Sequence, residues 1–219
     1  IAESLGFKLK AECIEGFPNT KTKVEGQDYS AYPVQVLRWN KLDLQAILKD
    51  KSKRKIVIKD GYFQRYEYYK DYKEIIRNNW LVTDIKIKAD ITEDDIVVVT
   101  RGGSYKKCHS CLPFSYYQEA LSMAKYKRVF LCSDDHSNAF LRRFRKYNVI
   151  IRPTDPLDNL KFIMLFNKIV QSQSTFNWWA AFLSHAREIY TPIPQEGFWW
   201  TDNPRYPGID LSVDDEDRY

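Results

Sequence analysis

The chain has 219 residues, 44% of them hydrophobic, which is enough to bury a core in one large domain or two small ones and too apolar for a disordered protein. Its formal net charge of +5 comes from 34 basic and 29 acidic residues interspersed along most of the sequence, an arrangement that argues against a dedicated nucleic-acid binder. Four cysteines in this length do not make a disulfide scaffold, and no stretch approaches the roughly 20 apolar residues of a membrane helix.

Ile1-Ala2-Glu3-Ser4-Leu5-Gly6 reads as the end of a helix closing on glycine, followed by strand-like Phe7-Lys8-Leu9-Lys10, so the start of the first element is expected to be missing. Residues 15 to 35 carry Gly, Pro, Asn and Asp and are expected to form a loop. The basic run Lys49-Asp50-Lys51-Ser52-Lys53-Arg54-Lys55 has two readings, a solvated loop, which is favoured, and a phosphate site. Ile56-Val57-Ile58 predicts a short buried strand ending at Asp60-Gly61, and Tyr66 to Trp80 has helical spacing. Lys and Asp crowd between Asp84 and Asp95, marking an expected boundary between a first half, 1–88, and a second, 89–219.

From Ile96 the pattern sharpens. Ile96-Val97-Val98-Val99 is a continuous β-branched run, the signature of a strand buried on both faces of a parallel sheet. Pro113 to Tyr126 predicts a helix, Val129-Phe130-Leu131-Cys132 a second buried strand, Ser137 to Lys146 a helix and Val149-Ile150-Ile151 a third strand. Asp158 to Val170 and Phe176 to Ser184 predict two further helices, with Ile189-Tyr190 as a last short strand. Alternation at this spacing specifies an α/β fold with a doubly wound sheet. Cys132 reads as a small core residue. Cys108 and Cys111 form one CxxC, but no second ligand pair with zinc spacing follows, so no metal site is expected.

Ligands of open parallel sheets bind outside the carboxyl ends of the strands. Three polar segments stand at such positions. In Thr100-Arg101-Gly102-Gly103 a guanidinium sits beside glycines that let a backbone approach a ligand, chemistry suited to a diphosphate; the competing reading is an Arg pairing a nearby carboxylate. In Ser133-Asp134-Asp135 the carboxylates could take hydrogen bonds from a base or ribose, or cap the next helix. The third, Gln171-Ser172-Gln173-Ser174-Thr175, leads into a helix whose free N–H groups suit phosphate. Adjacent Trp178 and Trp179 point about 100° apart on a helix, and core packing is the better reading for both. Trp199 and Trp200 stand in a Gly- and Pro-rich tail, and the acidic run Asp214-Asp215-Glu216-Asp217 reads as solvated.

Asp60-Gly61-Tyr62-Phe63-Gln64-Arg65-Tyr66-Glu67-Tyr68-Tyr69, then Leu112-Pro113-Phe114-Ser115-Tyr116-Tyr117-Gln118-Glu119-Ala120-Leu121, Phe130-Leu131-Cys132-Ser133-Asp134-Asp135 and Ser174-Thr175-Phe176-Asn177-Trp178-Trp179-Ala180-Ala181 together resemble segments of the α1,2-fucosyltransferases, in that family's order. The resemblance covers residues 56 to 195. It implies a GT-B-like fold of two Rossmann-like halves, the second with a mostly parallel, doubly wound sheet, and inverting transfer of a sugar without metal or other cofactor. The implied partners are a nucleotide-sugar donor, a GDP-sugar being favoured over a UDP-sugar, and a glycan acceptor. On this resemblance Arg101 is catalytic, Gly102, Gly103, Ser133, Asp134, Asp135, Ser174, Thr175 and Phe176 bind the donor, and Tyr62 and Gln64 face the acceptor.

Two departures stand out. Where the family has His-x-Arg-Arg-Gly-Asp, this chain has Val98-Val99-Thr100-Arg101-Gly102-Gly103, and the family's N-terminal Gly-x-Gly-Asn-Gln loop has no counterpart. A catalytically inactive carbohydrate-binding relative on the same scaffold is therefore the alternative. No single carboxylate or His is assigned as base by spacing. With no visible cleavable signal and no N-x-Ser/Thr acceptor, a soluble chain is expected, cytoplasmic placement being favoured over a lumenal catalytic fragment.

Overall fold

A computed structural model of the chain describes residues 30–38, 44–50, 52, 54–59, 69–81, 86–101, 112–134, 139–151 and 155–192. The chain divides into two compact units, one of Ile1–Val82 with Trp200–Leu211 and one of Thr83–Trp199 with Ser212–Tyr219.

In the first unit, β1 (Val34–Arg38) pairs in parallel with β2 (Lys55–Lys59), Val36 lying opposite Val57. A parallel pair needs a crossover, and the short helix α1 (Leu44–Lys49) lies within it. The loop expected over residues 15 to 35 is thus too long by two residues, because the chain enters β1 directly after Pro33, whose carbonyl accepts from the Lys55 N–H at 2.9 Å. Part of the predicted helix up to Trp80 is a succession of a 3-10 turn (Lys70–Tyr72), one α-helical turn, α2 (Lys73–Ile75), and a π-helical turn (Ile76–Trp80). The Leu81 N–H donates to the Ile76 carbonyl at 2.7 Å, the five-residue spacing of a π turn. In the basic run Arg54 pairs with Asp50.

The second unit is built on five parallel strands, β3 (Ile96–Thr100), β4 (Val129–Ser133), β5 (Ile150–Ile151), β6 (Lys168–Val170) and β7 (Glu188–Tyr190), in spatial order β5-β4-β3-β6-β7. Renumbered within the sheet this is 3-2-1-4-5, the Rossmann-like arrangement, in which strand order reverses between β3 and β6. Every residue of β3 and β4 is buried, as the β-branched runs require of strands covered on both faces.

Strand alternation sorts the side chains between two cores. Ile96, Val98, Val129 and Leu131 face a cluster with Tyr117, Ala120 and Leu121 of α3 (Phe114–Met123) and with Leu141 and Phe144. Phe130 turns to the other face and meets Phe162 of α4 (Pro156–Ile163) and Phe166, ring centroids 5.8 and 5.2 Å away. Against α4 packs α5 (Thr175–Leu183), in which Trp178 is buried and stacks on Phe182 one turn on. Trp179 is only partly buried, its ring edge-on to Trp178. Cys132 is buried in β4 and takes part in no disulfide among the described residues.

Two expectations need correction. The helix predicted over Asp158 to Val170 stops at Ile163, and Lys168–Val170 is strand β6. The Asn167 carbonyl accepts the Arg187 and Glu188 N–H groups at 2.8 and 3.0 Å, drawing the chain into the sheet beside β7. The helix predicted over Ser137 to Lys146 is a 3-10 helix at Ala139–Tyr147, closed by Asn148 at φ 52°, a left-handed position that Asn tolerates better than most residues.

Candidate functional site

The carboxyl ends of β3, β4 and β6 bring the three polar segments to one end of the sheet. Thr100 pairs with Ser133 across β3 and β4, and Val98 pairs with Val170 across β3 and β6. Arg101 leaves β3 and Asp134 leaves β4 side by side, with Arg101 Nη1 3.1 Å from Asp134 Oδ2. Their side chains are one-third and one-quarter exposed, so the pair sits at the rim of the unit rather than in its core. Continuing the alternation past Val99 and Cys132 sets both on the face that carries α4 and α5. The carboxylate-pairing reading of Arg101 thus describes a contact that is made, and it places the guanidinium at the end of the strand where a ligand would meet it. Ser133 and Thr100 are buried beneath, and the Thr100 hydroxyl donates to the Cys132 carbonyl at 3.4 Å.

At the end of β6, Gln171, Ser172, Gln173 and Ser174 are four consecutive polar residues, all buried. Their main chain is held on several sides. The Gln171 N–H donates to the Tyr190 carbonyl at 2.8 Å, and the Ser174 N–H closes a tight turn onto the Ser172 carbonyl at 2.9 Å. The Tyr116 hydroxyl of α3 lies 2.8 Å from the Gln171 carbonyl and 3.0 Å from that of Tyr190, so one proton is shared across the ends of β6 and β7. Burial, with Tyr117 adding to it, pushes the Tyr116 phenol well above its ordinary pKa and keeps it a neutral donor. In the first turn of α5 the Asn177 amide donates to the Ser172 hydroxyl.

Gln173 differs from its neighbours. Only 4% exposed, its carboxamide oxygen and nitrogen both lack a hydrogen-bond partner among the described residues. Burying such a group unpaired costs about 1–3 kcal/mol, and almost all buried polar groups avoid that cost. Beside it α5 begins without a side-chain cap, although Ser174 at the N-cap is a capping residue type. Helix α4 provides the contrast, since Asp155 caps it by accepting from the Leu157 and Asp158 N–H groups at 2.9 and 3.1 Å. An uncapped helix start next to an unpaired amide, at the strand-order reversal, can take hydrogen bonds from and give them to an anionic, oxygen-rich ligand.

Of the predicted site residues, Arg101, Ser133, Asp134, Ser174, Thr175 and Phe176 stand at this end of the sheet, Thr175 and Phe176 partly buried in the first turn of α5. Gly102, Gly103, Asp135, Tyr62 and Gln64 lie outside the described residues, as do Cys108, Cys111, Trp199 and Trp200. Sequence reasoning missed Tyr116 and Gln173. Nothing in a single chain marks which buried amide will lack a partner, although both residues fall in or beside segments singled out for other reasons.

Among the described residues, no cluster of three or more His, Cys, Asp or Glu could hold a metal ion, and no helix is long and apolar enough to cross a membrane. No family model, no curated protein and no solved structure matches the chain.

Proposed function

We propose that the chain is a GT-B-type glycosyltransferase similar to the α1,2-fucosyltransferases, moving fucose or another sugar from a nucleoside-diphosphate donor to a glycan hydroxyl, with inversion and without metal. The observation that carries this reading is the unpaired, buried Gln173 carboxamide beside the uncapped start of α5. A diphosphate there would meet the N-terminal dipole of the helix, and the Gln173 amide would gain a partner.

The chemistry assigned to these residues is electrostatic. As the glycosidic bond to the donor breaks, charge develops on the departing diphosphate, and fixed donors aimed at that charge lower the barrier. Arg101 supplies the full positive charge, and Asp134, 3.1 Å away, orients its guanidinium. The family resemblance gives the acceptor side to Tyr62 and Gln64.

The Arg101–Asp134 pair also favours a second reading, because a neutralised arginine offers a diphosphate less net charge. In that reading the protein is a carbohydrate-binding relative without catalysis. Incubating the full chain with GDP- and UDP-sugars, with and without glycan acceptors, and following products by mass spectrometry separates the two. Sugar transfer, or slow release of free sugar from one donor, supports the enzyme. Binding of a glycan or of a donor with no turnover of any sugar supports the inactive relative, and binding of neither removes both.

A further inference from the structure

Gln173 and the start of α5 are neighbours with different hydrogen-bonding needs. The N–H groups of Thr175, Phe176 and Asn177 stand ahead of the first bond within the helix, from the Trp178 N–H to the Ser174 carbonyl at 2.9 Å. They are donors at the positive end of a helix dipole, and an anion suits them. A carboxamide is donor and acceptor at once, with two N–H groups on its nitrogen and two lone pairs on its oxygen. In Gln173 both atoms are enclosed, and neither has a hydrogen-bond partner among the described residues.

The diphosphate of a nucleotide sugar carries no proton at neutral pH, so it only accepts. Bound at α5 it can satisfy the Gln173 nitrogen but not the oxygen. The part of a ligand that completes Gln173 must therefore offer an acceptor and a donor side by side. A ring with two adjacent hydroxyls does so, one receiving the amide N–H and the other giving its proton to the amide oxygen. Because Gln173 directly precedes Ser174, the N-cap of α5, such a ring lies next to the phosphates, as an esterified sugar does and a base does not. Two sugars flank the diphosphate of a donor. The transferred one has to be open to the attacking acceptor, which a partner only 4% exposed does not suit, whereas the ribose can stay enclosed throughout. Asp134, the other described candidate for a ribose, has its Oδ2 3.1 Å from Arg101 Nη1.

We propose that Gln173 reads the ribose of the bound nucleotide, its carboxamide pairing with the 2′- and 3′-hydroxyls while the phosphates take the N–H groups that open α5. This assignment rests on the nucleoside-diphosphate reading of the same site and adds which part of the ligand Gln173 recognises.

The test is calorimetric titration of the full chain and of its Gln173→Leu variant with GDP, UDP and their 2′,3′-dideoxy counterparts. At least one of GDP and UDP is expected to bind the wild type, its dideoxy counterpart binding about tenfold more weakly. In the variant the parent nucleotide should weaken about tenfold and the dideoxy form less than about twofold, so that the two losses do not add. Gln173→Met, with an unbranched side chain, serves if the leucine variant melts early, and the comparison of the two ligands on the wild type needs no variant. Equal binding of the ribose and dideoxyribose forms to the wild type overturns the ribose assignment and leaves the diphosphate site standing. A dideoxy penalty that persists undiminished in the variant does the same, placing the ribose on another residue. Binding of neither nucleotide to the wild type removes the site and the assignment together.

Discussion

At the amino-terminal end of the five-stranded sheet, Asp95 is fully buried just before β3, and its carboxylate is completely engaged. It accepts from Arg128 Nε at 2.9 Å, from Arg128 Nη2 at 2.6 Å and from the Thr92 N–H at 2.7 Å. Arg128 also reaches the Asp90 carbonyl at 2.8 Å, and Lys127 pairs with Asp94 alongside. At the carboxyl end, Gln173 is nearly as buried and has no partner among the described residues for either atom of its amide. One end spends its polar groups on joining β3 to β4, and its chemistry is finished on folding. The other keeps the bonding capacity of the Gln173 amide in reserve next to a helix start without a side-chain cap, which costs stability and makes sense where a ligand completes the bonds.

Substitutions at the two ends should therefore separate function from stability. The largest effect is expected for Arg101→Ala, which removes the positive charge that the proposed reaction sets beside a departing diphosphate. Turnover should fall on the order of 10²-fold or more with the melting temperature nearly unchanged, and near-normal transfer by this variant would contradict the assignment. Next is Asp95→Ala, which leaves the Arg128 guanidinium without its principal partner. Its expected cost is about 2 kcal/mol in denaturant unfolding, with kcat/KM of the folded fraction unaltered.

The same carboxylate makes an acid-titration prediction. Its hydrogen bonds to Arg128, helped by the Thr92 N–H and opposed by burial, lower its pKa from 3.8 to about 2. Because the folded value lies below the unfolded one, the contribution is complete above pH 4, roughly, and is lost as pH falls toward 2. Arg128 is partly exposed and solvent screens the pair, so the loss should be about 1–2 kcal/mol. Asp95→Asn should flatten that part of the stability profile.

Gln173→Leu offers the sharpest contrast in sign. Removing an unpaired buried amide should leave unfolding stability unchanged or raise it by about 1 kcal/mol, while weakening nucleoside-diphosphate binding about tenfold. Lost stability with unchanged binding would make Gln173 an ordinary structural residue. The smallest effect belongs to Tyr116→Phe, which deletes the hydroxyl tying β6 to β7. It should cost about 1 kcal/mol and affect binding only through the position of Gln171.

The sequence made the sheet's interior legible where composition alone decides it. Ile96–Thr100 and Val129–Ser133 are strands because β-branched and aromatic runs suit burial on both faces. It obscured β6, since Lys168-Ile169-Val170 continues the apolar spacing of α4 and only the pairing with β3 and β7 decides the matter. It also obscured the type of the Ala139–Tyr147 helix, whose rows at three and at nearly four residues differ little over so short a span. At the candidate site, strand ends and residue types were readable, because loops after parallel strands converge. The Arg101–Asp134 contact, the Tyr116 tether and the unpaired Gln173 amide were not, because each joins side chains from separate elements or depends on the burial those elements create.

Thermal melting of the full chain and of its Gln173→Leu variant, each with GDP, UDP and inorganic phosphate, tests the claim about the carboxyl end most directly. A ligand that binds only the native state should raise the wild-type melting temperature by roughly 5–10 °C at a hundredfold excess over its Kd. One nucleoside diphosphate is expected to do so, phosphate much less, and the variant's shift should shrink at the same ligand concentration. No shift with either nucleotide, or an undiminished shift in Gln173→Leu, would contradict the account.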